Sequence, residues 1–183
     1  VFLRQRALFT FTLAAGVASW LVGNLLWLAG FSIFEVVPWW AGFLVLTIAG
    51  ERLELSRFLP PSPVAQRVFI GVLAGLTFRM AFQPQVFGAA LLVLALWLLR
   101  QDIARRTVKD TGLTRFIAVC LLSGYAWLAL AGAIMLAAGL APGNAAYDAA
   151  LHALMLGFVF SMVFGHAPII FPAVLRVAVP YHP

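Results

Sequence analysis

The sequence predicts an all-α fold: a polytopic transmembrane helical bundle of about six spans. Three observations carry that reading. Of the 183 residues, 64% are hydrophobic and only 10% are charged, with a mean hydropathy of +1.03; a soluble domain with so few charges would not keep its surface wetted. The apolar residues form continuous runs rich in Leu and Ala, whereas the strands of a membrane β-barrel alternate apolar and polar over about 10 residues. A span with its loop takes about 30 residues, so the length leaves no room for a separate soluble domain, and 1–183 reads as a single transmembrane domain.

The first span is expected over about 7–31, the second over about 39–57 and the third over about 65–82. The fourth covers about 86–99, the fifth about 115–138 and the sixth about 147–168. Pro38 opens the second span, where a missing N–H costs nothing. Pro60, Pro61 and Pro63 end it. Gln83-Pro84-Gln85 makes a tight hairpin between spans three and four, and Ala141-Pro142-Gly143-Asn144 separates five from six. The first apolar run is too long for the core of a secretory signal. A start at Val1 without methionine and a stop at Pro183 predict a fragment of a larger bundle. Cys120, the lone cysteine, has no partner for an internal disulfide.

Basic residues orient the bundle. Arg4, Arg6, Arg52, Arg57, Arg67, Arg100, Arg105, Arg106, Lys109, Arg115 and Arg176 fall on one side, and only Arg79 approaches the other. Cytoplasmic loops carry the Lys/Arg excess, so both ends are expected to be cytoplasmic. The net charge of +6 therefore reports topology, and nucleic acid is not an expected partner. Trp39 and Trp40 fit an outer aromatic belt. Small residues recur at four-residue spacing: Ala15, Ser19 and Gly23; Gly71 and Gly75; Ala153, Gly157, Ser161 and Gly165. Such stripes let helices approach closely in lipid.

Chemistry is expected mainly in the sixth span. His152 and His166 lie 14 residues apart, which on an uninterrupted α-helix is a rise of about 21 Å with the side chains within about 40° of each other. Histidine inside a span usually faces the bundle interior or a cavity, and neutral imidazole ligates metals and haem. The pair suits one haem per leaflet, with the small stripe admitting a macrocycle or another helix. It also fits hydrogen bonding at the two interfaces, and a proton relay or substrate contact. Pro168 and Pro172 predict a kink or stop around His166. A second candidate is the end of span two, where Glu51 sits about 18 Å beyond Trp39 and shares a face with Glu54, with Arg52 and Arg57 nearby. Emerging charges that snorkel to headgroups, a proton path, and an anchor for haem propionates through Arg52 all fit that segment. Arg79 is a candidate for an outer propionate, and Asn24 for an interhelical hydrogen bond. No phosphate-binding Gly loop, CxxC or Ser/His/Asp arrangement is present.

The run His152-Ala153-Leu154-Met155-Leu156-Gly157, the later Gly165-His166, and Gly50-Glu51-Arg52 at the end of a span resemble the NnrS-type membrane proteins. Those are polytopic, haem- and copper-associated proteins of the bacterial nitric-oxide response, distantly like the haem–copper oxidase core subunit. The resemblance covers mainly spans two and six. It implies His152 and His166 as haem or metal ligands, haem b as cofactor, and a place in the bacterial inner membrane. Copper is also implied, although this segment alone lacks the several histidines such a site needs. The expectation is a haem-associated membrane protein in redox or nitric-oxide-related metabolism, with remaining ligands on further helices or other membrane subunits. The alternatives are a transporter or channel segment that uses intramembrane carboxylates, and a structural subunit of a membrane complex.

Overall fold

The computed structural model describes residues 7–56, 62–79, 84–139 and 141–177, with the backbone alone at 56, 77–79 and 84. The described chain is helical throughout: α1 (Leu8–Leu28), α2 (Ile33–Ser56), α3 (Pro63–Arg79), α4 (Pro84–Gln101), a short α5 (Ala104–Thr107), α6 (Gly112–Ala138), α7 (Ala145–His152) and α8 (Phe160–Leu175). A π-helical segment, Ala153–Val159, joins α7 to α8 without a break. Four helices are long and apolar enough to cross a membrane: Leu8–Leu28, Ile33–Leu55, Gly112–Ala138 and the composite Ala145–Leu175. Two shorter apolar helices, Pro63–Leu76 and Gln85–Gln101, fall below that length.

Two helix limits differ from the expectation, each for a local reason. The second helix begins at Ile33, ahead of Pro38, because Ser32 and Glu35 cap it: the Ser32 N–H and hydroxyl both donate to the Glu35 carboxylate, at 2.9 and 2.8 Å. Pro38 then lies inside the helix. The last helix continues through Pro168 and Pro172 to Leu175 and ends at Arg176 in the left-handed region, φ 54°. Leaving the helix in an apolar surrounding would strand several backbone groups, whereas each proline removes one hydrogen bond, so continuing costs less.

The helices pack through glycines where backbones cross. α1 lies on α2, with Gly16 against Phe43 and Thr47, and Gly23 under Trp40. Trp40 also meets Trp27, ring centroids 6.2 Å apart. α4 and α6 cross at Gly88 and Gly132; a Cβ on Gly132 would stand 2.7 Å from the Gly88 carbonyl oxygen and 2.7 Å from the Leu92 nitrogen. α3 is held to α4 by Trp97, whose indole N–H donates to the Ala65 carbonyl (2.8 Å) and whose ring packs on Phe69 at 4.8 Å. The stripe on the last helix faces α6: Gly157 lies on Trp127, Ser161 beside Gly124, and Gly165 beside Cys120. Of the two partners expected for that stripe, the structure seats another helix. Asn24 donates to the Trp20 carbonyl of its own helix (2.9 Å) instead of to a neighbour.

The chain thus forms two bodies that touch sparsely. α1 and α2 make one; α3, α4, α6 and the composite last helix make the other. Phe34 meets Tyr147 edge-on at 5.5 Å near the start of α2, and polar contacts described below join them near its end.

Glycine substitutions test this packing. Gly132→Ala forces the α4 and α6 backbones apart and is expected to lower stability by about 1–3 kcal/mol. Gly71→Ala meets nothing within 4 Å and is expected to be neutral or to stabilise by up to about 1 kcal/mol. Unfolding midpoints in detergent micelles measure both.

Candidate functional site

Polar side chains are costly in an apolar bundle unless they satisfy one another. Four of them do so at one place. Arg52, 7% exposed, comes from the last turns of α2. Asp102 follows α4 directly, Tyr125 lies at the middle of α6, and His166 belongs to α8. One Arg52 terminal nitrogen donates to His166 Nε2. The other stands 3.8 Å from Asp102 Oδ2, and the two side chains are 7% and 5% exposed. The Tyr125 hydroxyl donates to the same Oδ2 at 2.5 Å.

Asp102 has a second task. Its Oδ1 accepts the Ala104 N–H at 2.8 Å, which caps the start of α5. Both carboxylate oxygens are thereby used, one toward the loop and one toward the bundle. The Arg52 Nε is buried and has no partner among the described residues. The centre therefore keeps one unspent donor.

The histidine tautomer follows from the contacts. His166 Nδ1 stands 2.5 Å from the Met162 carbonyl. A carbonyl only accepts, so Nδ1 carries the proton and Nε2 of the neutral ring presents its lone pair to Arg52. His152 is held the same way, Nδ1 to the Asp148 carbonyl at 2.7 Å, but its side chain is exposed.

Of the residues expected from sequence, the structure brings Arg52 and His166 together and leaves His152 apart. Along the helix the two already stand about 20 Å apart, and the π segment also turns them away from each other. A π turn absorbs roughly one residue more than an α turn, which removes about 100° of rotation and sets the two histidines about 140° apart instead of 40°. Glu51 is exposed and Glu54 half-buried, so they flank the centre on α2 while Asp102 serves as the carboxylate partner of Arg52. Arg57 lies outside the described residues, as does the side chain of Arg79. Among the described residues no group of three or more His, Cys, Asp and Glu is placed to hold a metal ion.

Asp102 and Tyr125 are the members that sequence reasoning missed. Asp102 is an acid set among Arg100, Arg105, Arg106 and Lys109. Tyr125 is the one hydroxyl-bearing ring in α6. Both are local signals of a polar residue out of place.

A model of the family described as Domain of unknown function (DUF8744) matches residues 1–183. The chain belongs to this family. No curated protein and no solved structure matches it. The family description carries no activity, so the buried centre is the chemical information the DUF8744 chain offers.

Breaking the centre from one side should cost more than removing it. Asp102→Leu leaves Arg52 buried without its counter-ion, and a loss of about 3–5 kcal/mol is expected. The double variant Arg52→Met with Asp102→Leu should recover part of that loss. Tyr125→Phe removes one hydrogen bond to a charged group and should cost about 1.5–3 kcal/mol. Chemical unfolding of the four proteins in micelles gives the comparison.

Proposed function

We propose that this chain is an integral protein of the bacterial inner membrane, with six spans and both ends cytoplasmic. In this reading, proton binding at His166 drives a transporter- or channel-type movement of the α1–α2 pair. α3 and α4 complete the six: at 1.5 Å per residue they reach about 25 and 27 Å, and thinning or snorkelling absorbs the shortfall from about 30 Å.

The contact between Arg52 and His166 Nε2 carries this reading. A protonated imidazole has no lone pair, so a proton on Nε2 and the Arg52 hydrogen bond exclude each other. Two adjacent cations also repel in a poorly screened interior. Protonation therefore leaves Arg52 with Asp102 alone. The α1–α2 pair, which touches the last helix at few other places, is then released at that end. In proteoliposomes holding a pH-sensitive dye, an imposed potential should drive more proton flux than in empty vesicles. His166→Ala should lose that flux and His152→Ala keep it. Parent vesicles no leakier than empty ones, or a fully active His166→Ala, would sink the proposal.

A second reading is a haem-associated protein of redox or nitric-oxide metabolism, as the resemblance to the NnrS type implies, with His152 and His166 as ligands. The shared Nδ1-to-carbonyl arrangement favours it, because such a bond fixes the ring and leaves Nε2 as the ligating nitrogen. Arg52 would leave His166 and neutralise a propionate, using the donor that is now unspent. The opposing axial ligands would come from further helices or another subunit. Protein produced with haem supplied should then show a Soret band that both His152→Ala and His166→Ala weaken. Absence of the band removes this reading and leaves the proton reading intact.

A further inference from the structure

Beside the buried centre, but facing outward, α4, the α5 turn and α6 enclose an open groove of about 640 Å³ lined by Leu96, Leu99, Arg100, Arg105, Val108 and Leu122. Its walls are apolar and its rim is cationic. Leu96 is 58% exposed, and Val93, one turn earlier on the same helix, is 41% exposed, so the apolar track continues along α4 away from the arginines. On α6, Val119 extends the opposite wall and is also exposed.

The two guanidiniums have no counter-ion among the described residues. Among the described residues neither Arg100 nor Arg105 forms an ion pair. The acid between them in sequence, Asp102, is turned inward, its oxygens taken by Ala104, Tyr125 and Arg52. That inward turn leaves two exposed cations at the mouth of an apolar track.

We propose that this groove binds one anionic phospholipid of the surrounding leaflet, with its phosphodiester between Arg100 and Arg105 and an acyl chain along Leu96, Leu99 and Leu122. Charge and shape together select the occupant. A soluble phosphate compound makes no use of the leucine wall, and a zwitterionic lipid brings no net charge to two unpaired guanidiniums. The guanidinium fork matches phosphate oxygens two at a time, and basic pockets between helices on the cytoplasmic side are suited to anionic headgroups. The proposal rests on the inner-membrane reading, and it is independent of proton coupling at His166.

Native mass spectrometry of the detergent-purified full chain tests it, with phosphatidylglycerol and phosphatidylcholine of identical acyl chains. One phosphatidylglycerol should be retained in preference to phosphatidylcholine. The double variant R100Q/R105Q should weaken retention about 30-fold. K109Q/R115Q, which removes as much charge from the same end outside the groove, should leave it unchanged. If R100Q/R105Q loses its helical circular dichroism, Val108→Trp takes its place: it fills the groove, keeps both arginines, and must also lose the lipid. Equal retention of the two lipids would overturn the proposal, as would an equal loss in K109Q/R115Q. Full displacement by inorganic phosphate would identify a phosphate site and would overturn it too. Membrane residence is checked separately by resistance to carbonate extraction.

Discussion

The carboxylate of Asp102 is the constraint around which the rest of this bundle is arranged. It stands at the end of α4, 5% exposed, and serves three helices at once. Toward the loop it caps α5; toward the bundle it accepts from Tyr125 of α6 and faces Arg52 of α2. A carboxylate moved from water into such a place is unfavourable by several kcal/mol before its partners act. Losing any one of them leaves part of that cost unmet, so its full stability requires them all. That requirement couples the turn between α4 and α6 to the packing of α2, which is otherwise in contact with few residues of that body.

The small residues complete the logic. Between helices in lipid there is no hydrophobic driving force, because the tails are as apolar as leucine. Close approach and polar contact must supply the attraction. Gly88 on Gly132 and Gly157 on Trp127 supply the first within the α3–α8 body. Gly16 and Gly23 supply it within the α1–α2 pair. Between the two bodies close approach is scarce, and the Arg52 contacts stand in for it. A junction held by Phe34 on Tyr147 at one end and by the Arg52 contacts at the other differs from a junction held by broad packed surface. Packing has no titratable member, whereas this junction contains an imidazole. It also has a consequence on the outer surface: with Asp102 turned inward, the exposed Arg100 and Arg105 have no ion-pair partner among the described residues.

Most of the helices were legible in the sequence because apolar length and proline-rich breaks are one-dimensional signals. Pro38 misplaces the start of α2 because the Ser32-x-x-Glu35 box sets it: a cap states where a helix begins and a proline only where it can begin. The continuation through Pro168 was misjudged for a related reason: the rule that proline stops helices assumes water stands ready for the freed backbone groups. Arg52 and His166 were legible as charged or titratable residues in apolar runs. Their pairing was not, since they are separated by 114 positions and nothing in the sequence fixes their relative rotation. Asp102 was hidden by its neighbours: among so many basic residues an acid looks like part of a solvated loop.

The π segment marks the limit of reading a helix as a regular object. Spacing arithmetic places His152 and His166 on one face only if every intervening residue advances the helix by about 100°. Ala153–Val159 does not. Roughly one residue is absorbed there, and everything beyond it is turned. Beyond it His166 meets Arg52, before it His152 is exposed, and Gly157, Ser161 and Gly165 lie against α6. The two histidines are therefore different objects. One is half-buried with its acceptor nitrogen held by the buried Arg52, and the other is exposed with its Nδ1 held by the Asp148 carbonyl. A single ligand set that treats them as equivalents has to undo the Arg52 contact, whereas a mechanism that assigns them separate tasks leaves the observed packing as it is.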